Sequence, residues 1–541
     1  MGRATGVTMA FRTVDEFLAL TGEERPTPAE VRLVEAVRAG TGCVISETRP
    51  EAATHENTVR ASLLRLLITG ATQGCGTQDF GVWLEGGWVT GRLDLSFAKA
   101  RGRTVLDACH FVEEPRLPEA DLNELSLEGS HLPGLYAQGM RLRGSLFLRK
   151  VTATGTVDVN GAKIGRQMDC EGARLDGAGG EALNAQGVET GAALFLRGVT
   201  ATGTVAVNGA NIGGQMDCGG ARLDGAGGEA LNAQRLQVEQ GLFWRDVTVT
   251  SGRVMLGSAQ VGDLVDDGRW PEGTDMLILD GFTYDRIGGD KAPVTAAGRQ
   301  AWLRAGSVWK GRFLPQPYTQ LARVFRSMGH GGEARMVLYW REGLVAEQER
   351  RDILAAPVGA GGRVFGHLWR KVRAAFVGVG SRFLSFVAGY GYKPVRALRG
   401  LLGLWLLAWL LAYLVWVNGQ FAPNSDVVLV SEDWQDLLAR DCEKDPDLPL
   451  PAPCVANPAE AWSGDPLHGM DWESFSPWGY ALDLVVPILD LGQTDAWAPS
   501  KDGGWWGFHL WWARWLFAGF GWLVTALGAA AVTGIMQRDR E

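Results

Sequence analysis

The stretch Leu146–Gln186 returns 48 residues later as Leu194–Gln234. Only five of the 41 aligned positions differ: Lys150/Gly198, Asp158/Ala206, Lys163/Asn211, Arg166/Gly214 and Glu171/Gly219. A decayed third copy opens at Leu242 (LFWRDVTVT) and resumes at Val254–Asp266 after a one-residue insertion. A long period of this kind marks stacked structural units. Within a copy, apolar-alternating pieces (Leu146–Leu148, Thr156–Val159, Gln167–Cys170, Ala182–Ala185) lie between GTG, NGA and DGAGG turns. Pieces of three or four residues suit strands, and strands so short cannot bury a face alone. Stacked coil on coil they share one core. The sequence therefore predicts a β-solenoid, a parallel β-helix, over 80–285, with each unit spanning about two coils.

Several polar residues recur with the repeat: Asn160/Asn208, Asp169/Asp217/Asp266 and Asn184/Asn232. One reading is a ligand row for carbohydrate or cations. The other is side chains bonding the backbone at turns, which a repeat duplicates automatically. Cys170 and Cys218 align among apolar neighbours and read as a buried thiol ladder. No second Cys or His accompanies either, so no metal ligand set is assigned.

The flanks differ from the repeat. Residues 1–79 carry no secretory pattern, and Thr13–Leu20, Pro28–Ala39 and Asn57–Ile68 read as short helices forming an N-terminal cap. Residues 286–362 read as a helical hairpin linker: Thr295–Gly306, Gln320–Met328 and Glu333–Arg351 are helical, with Gly329, Gly331 and Gly332 as punctuation.

The last third has a membrane pattern. Leu401–Val417 is an uncharged, mostly apolar run, placing a first span at 400–420. A second span is expected at 511–536, with Trp505, Trp506, Trp511 and Trp512 around its start as an interfacial belt. Between Ile353 and Arg399 there are eight Lys or Arg and no Asp or Glu. The loop Gly419–Leu510 has sixteen acidic residues and three basic ones. The positive-inside rule then places the solenoid and the tail 537–541 in the cytoplasm, and the loop 421–510 outside. Segment 363–399 is basic, and 364–390 within it is amphipathic, expected to lie on an anionic inner leaflet.

Within the acidic loop, 476–493 (SPWGYALDLVVPILDLGQ) is apolar but too short to span. It reads either as a re-entrant segment or as a helix in the outer interface. In the first case Asp483, Asp490 and the backbone at Gly492 are candidate pore residues of an oligomer. Cys442 and Cys454, 12 residues apart in the same loop, are a candidate disulfide.

Composition closes other routes. Apolar residues make up 46 %, which excludes wholesale disorder, and a net charge of -9 argues against a basic nucleic-acid binder. Seven Cys in 541 residues do not make a disulfide scaffold. No catalytic or cofactor-binding residue is assigned: there is no GxGxxG opening a helix after a strand, no CxxC and no Cys/His cluster.

The repeat text, the hairpin PQPYTQLARVFRSMGH and the ending FSPWGYALDLVVPILDLGQTDAW resemble bacterial, largely actinobacterial, membrane proteins over about residues 60 to 541. These pair a cytoplasmic pentapeptide-repeat-like β-helix with a two-span C-terminus. The resemblance implies a right-handed β-helix, although regular A(D/N)LXX pentads are missing here. Such chains are often labelled membrane-associated oxidoreductases, an activity that no residue here carries. The expectations for function are a membrane-anchored scaffold or sensor with a protein partner on the solenoid, an oligomeric two-helix ion channel gated by the solenoid, or the oxidoreductase of the label.

Overall fold

The computed structural model describes residues 11–70, 80–100, 102–356, 363–387, 389–393, 395–440, 455–466, 469–486 and 488–533. Two compact units divide the chain, Met1–Arg341 and Glu342–Glu541.

The first unit is a parallel β-solenoid of about nine turns with helices at both ends. Its register gives the coil lengths. Leu146 pairs with Met168, Met168 with Leu194 and Leu194 with Met216, all in parallel. Coils of 22 and 26 residues thus alternate, and one of each makes the 48-residue repeat. The longer coil accommodates the DGAGG turn, where register shifts between Asp176 and Glu181 and positive φ falls at Ala178 and Gly179.

Each regular coil contributes four two-residue strands, for example Arg141–Leu142, Leu146–Phe147, Thr152–Ala153 and Val157–Asp158. Sequence periodicity finds the second and fourth of these. The ladders at Thr152–Ala153 and Lys163–Ile164 escape it. Inward positions are closed: Leu122, Leu127, Leu132, Ala137 and Leu142 are at most 3 % exposed.

The solenoid starts earlier than the sequence indicates. Cys43–Val44 pairs with Leu84–Glu85, and Thr58–Arg60 pairs with Trp88–Thr90. Helices α1 (Pro28–Ala39) and α2 (Ala61–Thr69) pack over this first coil. Thr27 and Glu30 form a capping box at the start of α1. Buried Glu30 also accepts from the Arg60 backbone N–H and its guanidinium, joining cap to strand. The helix expected over Asn57–Ile68 therefore starts only at Ala61: β-branched Thr58 and Val59 extend as strand before α2 begins.

At the other end stand α3 (Ala296–Gly306), α4 (Gln316–Ser327) and the start of α5 (Gly331–Ala355). The PQPYTQ motif closes the last coils. Gln316 accepts from the Gly281 N–H and donates to the Phe282 carbonyl, and Gln320 donates to the Tyr284 carbonyl. These amides satisfy edge groups that would otherwise be buried unpaired.

In the second unit α6 (Arg363–Val387) is followed by α7 (Val395–Val417), α8 (Pro477–Val485) and α9 (Trp505–Val532). Helices α7 and α9 are long and apolar enough to cross a membrane. Ala408, Ala412 and Val415 of α7, Tyr480 and Val485 of α8, and Leu510 and Phe517 of α9 share one buried cluster with Phe421, Trp434, Trp462 and Trp497. Phe421–Pro423, just past α7, pairs antiparallel with Trp497–Pro499, just before α9.

Candidate functional site

The outward rows of the solenoid are its most regular chemical feature. One row runs Ser126, Phe147, Asp169, Phe195, Asp217, Phe243. Two residues further along, Arg149, Arg197 and Arg245 each place a guanidinium over the preceding Phe ring, at 5.1, 4.8 and 5.1 Å. Acids from neighbouring coils pair with the first two: Arg149 with Glu128 at 2.6 Å and Arg197 with Glu171 at 2.7 Å. The result is a strip in which acidic and basic side chains alternate from Glu128 to Arg197.

Of the recurrent residues, Asp169/Asp217 and Asn184/Asn232 prove to be turn formers, whereas Asn208 donates to the Gln186 side chain of the coil below at 3.1 Å. Asp158, Asp169, Asn184, Asp217 and Asn232 each accept from the backbone N–H two residues on. Stacked turns repeat this bond at each copy, as the turn reading expects. Asp266 departs from the series. Asp217 pairs with Phe243 and Phe243 with Val265, so Asp266 lies one position off, opposite inward-facing Trp244. It is a buried carboxylate answered by Arg299 through two bonds of 2.5 and 2.7 Å and by the Trp270 indole N–H at 2.6 Å. This cluster belongs to the C-terminal cap.

The thiol ladder is also corrected. Cys170 and Cys218 lie in the inward direction but alternate with leucine, because Leu196 occupies the intervening coil. Both are free, fully buried, and pushed up in pKa by burial. Among the described residues, no group of three or more His, Cys, Asp or Glu is placed to hold a metal.

A stack of three rings was not anticipated. Trp88, His110 and His131 occupy successive coils of one row, with centroids 3.8 and 4.5 Å apart. Their separations of 22 and 21 residues equal a coil length, which is the signal that reveals them. Burial, together with the neighbouring Arg49, holds both imidazoles below their ordinary pKa.

The five positions at which the two copies differ all concern surface charge. Lys150, Asp158, Lys163, Arg166 and Glu171 are at least partly exposed, and each is replaced by an uncharged residue in the second copy. In the first copy these charges bridge coils: Lys163 meets Glu189 at 3.0 Å, and Asp158 accepts from Gln138 at 2.7 Å. The inward residues of the two copies are identical.

In the second unit, 476–493 forms a closed excursion. Gln493, buried, accepts from the Ser476 N–H at the base and donates to Glu473 and the Ser474 carbonyl. Asp483 accepts from the N–H groups of Leu491 and Thr494 and from the Thr494 hydroxyl. Asp490, exposed, accepts from the N–H of Gly492, whose φ is +72°. Asp483 thus holds the return turn, while Asp490 and Gly492 form its tip. The excursion packs on both long helices. Trp478 stacks on Trp409 at 4.5 Å, and a Cβ at Gly521, midway along α9, would clash with the Val485 carbonyl. The candidate disulfide Cys442–Cys454 lies outside the described residues, as does the tail 537–541. Comparison of the chain with protein-family models, with curated proteins and with solved structures gives no match.

Proposed function

We propose that the protein is a membrane-anchored scaffold or sensor. In this reading the β-solenoid lies in the cytoplasm and presents its lateral face to a protein partner at the inner surface of the plasma membrane. The chain crosses the bilayer twice, through α7 and α9, with both termini inside. The observation that carries the reading is the pattern of difference between the copies. Two stacked units have the same core, yet the first carries five charges that the second lacks, while the second keeps Arg197, Asp217, Arg222, Asp224 and Glu229. A less charged step beside a more charged one gives a partner both register and polarity. The test is affinity purification of the full chain against a variant that restores charge to the second copy (Gly198→Lys, Asn211→Lys, Gly219→Glu). Lysine is accommodated at the equivalent turn, since Lys150 adopts φ +54° and Gly198 +62°. One stoichiometric partner, lost on restoring charge, supports the reading. Identical co-purifying proteins for both chains count against it.

A second reading is an oligomeric ion channel gated by the solenoid. It is favoured by the closed excursion 476–493, which seats α8 against the middle of both long helices. Asp490 at the exposed tip is then the residue to line a path, and Asp483 the residue that shapes it. Ion flux in liposomes that falls at least about tenfold in Asp490→Ala supports this reading. A strictly monomeric protein in detergent removes it.

A further inference from the structure

Helix α6 has two contrasting faces. Arg370, Ala374, Gly378, Ser381 and Ser385 follow one another at helical spacing and all face partners within the second unit. Arg370 donates to the Ala356 carbonyl, and Ala374 is 3 % exposed. The Arg350 side chain lies over Gly378, where a Cβ would stand 3.5 Å from its Cδ. Ser381 bonds the Tyr390 hydroxyl, and the Ser385 carbonyl accepts from Arg396. The small, polar face of the helix is therefore its packing face.

The opposite stripe is large, apolar and uncovered. Leu368, Trp369, Val372, Phe376, Val379 and Phe386 are 59, 65, 49, 79, 64 and 76 % exposed. They recur at i, i+4 and i+7, occupying little more than a quarter of the helix circumference. A globular helix buries such a stripe and turns small polar residues outward; here the assignment is reversed. The flanks carry Lys371 and Arg382 on one side and Arg373 on the other. Helix α6 is too charged to span, yet seven residues separate its end from the start of apolar α7.

We propose that this stripe is a docking surface for an anionic bilayer, with α6 lying in the interface plane and its stripe sunk among the acyl chains. Charge selects this occupant. A basic interval with no acid from Ile353 to Arg399 repels a basic surface and matches anionic headgroups. Continuity with α7 holds α6 next to the lipid that α7 crosses. Lys371, Arg373 and Arg382 reach headgroups from the flanks while their stems cover apolar surface. The inference uses only the second unit and stands whether or not the solenoid binds a partner.

The test uses the full chain in nanodiscs, with Cys75, Cys442 and Cys454 replaced by Ser. Single Phe376→Cys, Val379→Cys and His367→Cys variants are exposed to a water-soluble maleimide; His367, exposed, lies off the stripe and serves as the reference. In discs of phosphatidylcholine with phosphatidylglycerol, the two stripe positions are expected to react at least about tenfold more slowly than the reference. That protection is expected to fall roughly fivefold for each cation removed by Lys371→Gln, Arg373→Gln or Arg382→Gln. It is also expected to be lost in phosphatidylcholine alone. Stripe positions as reactive as the reference in anionic discs overturn the proposal. Equal protection in both lipids also overturns it, since the cover is then a protein surface or a bilayer bound without regard to charge.

Discussion

His110 and His131 stack within a half-buried row, between Trp88 and the next coil, and face the Arg49 guanidinium. Burial and the positive charge of Arg49 disfavour protonation of both rings, and His131 adds to this at His110, so the native state takes up protons less readily than a free imidazole. The unfolded chain binds protons more readily, near pH 6.5. The stack therefore stabilises the first coils fully above about pH 6.5 and loses that contribution as the pH falls through the lowered native values. Hydrogen exchange of peptides covering 80–135 is expected to accelerate between pH 7 and 5 beyond the intrinsic pH effect. A His110→Phe/His131→Phe chain, which keeps the stacking, is expected to lose this dependence. An unchanged pH profile in the double variant would show that the rings do not sense protons. At this scale the sequence is legible only when the coil length is known. The three rings are unremarkable until 22 and 21 are read as one turn each.

The ends of the solenoid illustrate the same limit for whole elements. The PQPYTQ hairpin is visible as a motif, but its spacing does not tell that Gln316 and Gln320 reach edge groups of the last coil. Asp266 looks like a third member of a polar series. A one-residue register shift between Val238 and Gly241 cancels the insertion of the third copy and turns Asp266 into the core. Alternation of period two makes this outcome inevitable, because one residue of slip exchanges outside for inside. A buried carboxylate there is tolerable only because α3 delivers Arg299, with both side chains fully buried. Removing one member leaves the other charge unpaired. Asp266→Ala is expected to cost about 3–5 kcal/mol and to loosen α3 and α4 from the last coil. Asp266→Leu combined with Arg299→Met replaces the pair by apolar volume and is expected to recover most of that loss. Denaturant melts of the two variants check this, and equal destabilisation in both would assign the cost to packing instead.

For the molecule as a whole, the repeat makes stability modular. Parallel ladders join each coil only to its neighbours, so the energy of the stack is close to a sum over coils and their interfaces. One unit of 48 residues comprises a 22-residue and a 26-residue coil, and its two ends present the same surface. Deleting 186–233 joins Ala185 to Gln234, reproducing the native Ala233–Gln234 junction and removing two coils without disturbing phase. Cys170 then stacks where Cys218 did, and both capping ends keep their own partners: Glu30 with Arg60, and Asp266 with Arg299. The shortened chain is expected to fold, with slow hydrogen exchange retained in both caps. Deleting 186–197 instead stops about halfway round a coil. The ladders beyond it then meet the wrong side of the coil below, and outward polar residues oppose inward apolar ones. That chain is expected to lose protection from Gly198 to Phe282 and to aggregate on extraction. The two deletions separate coil phase from chain length as the source of order, because the larger removal is the tolerated one.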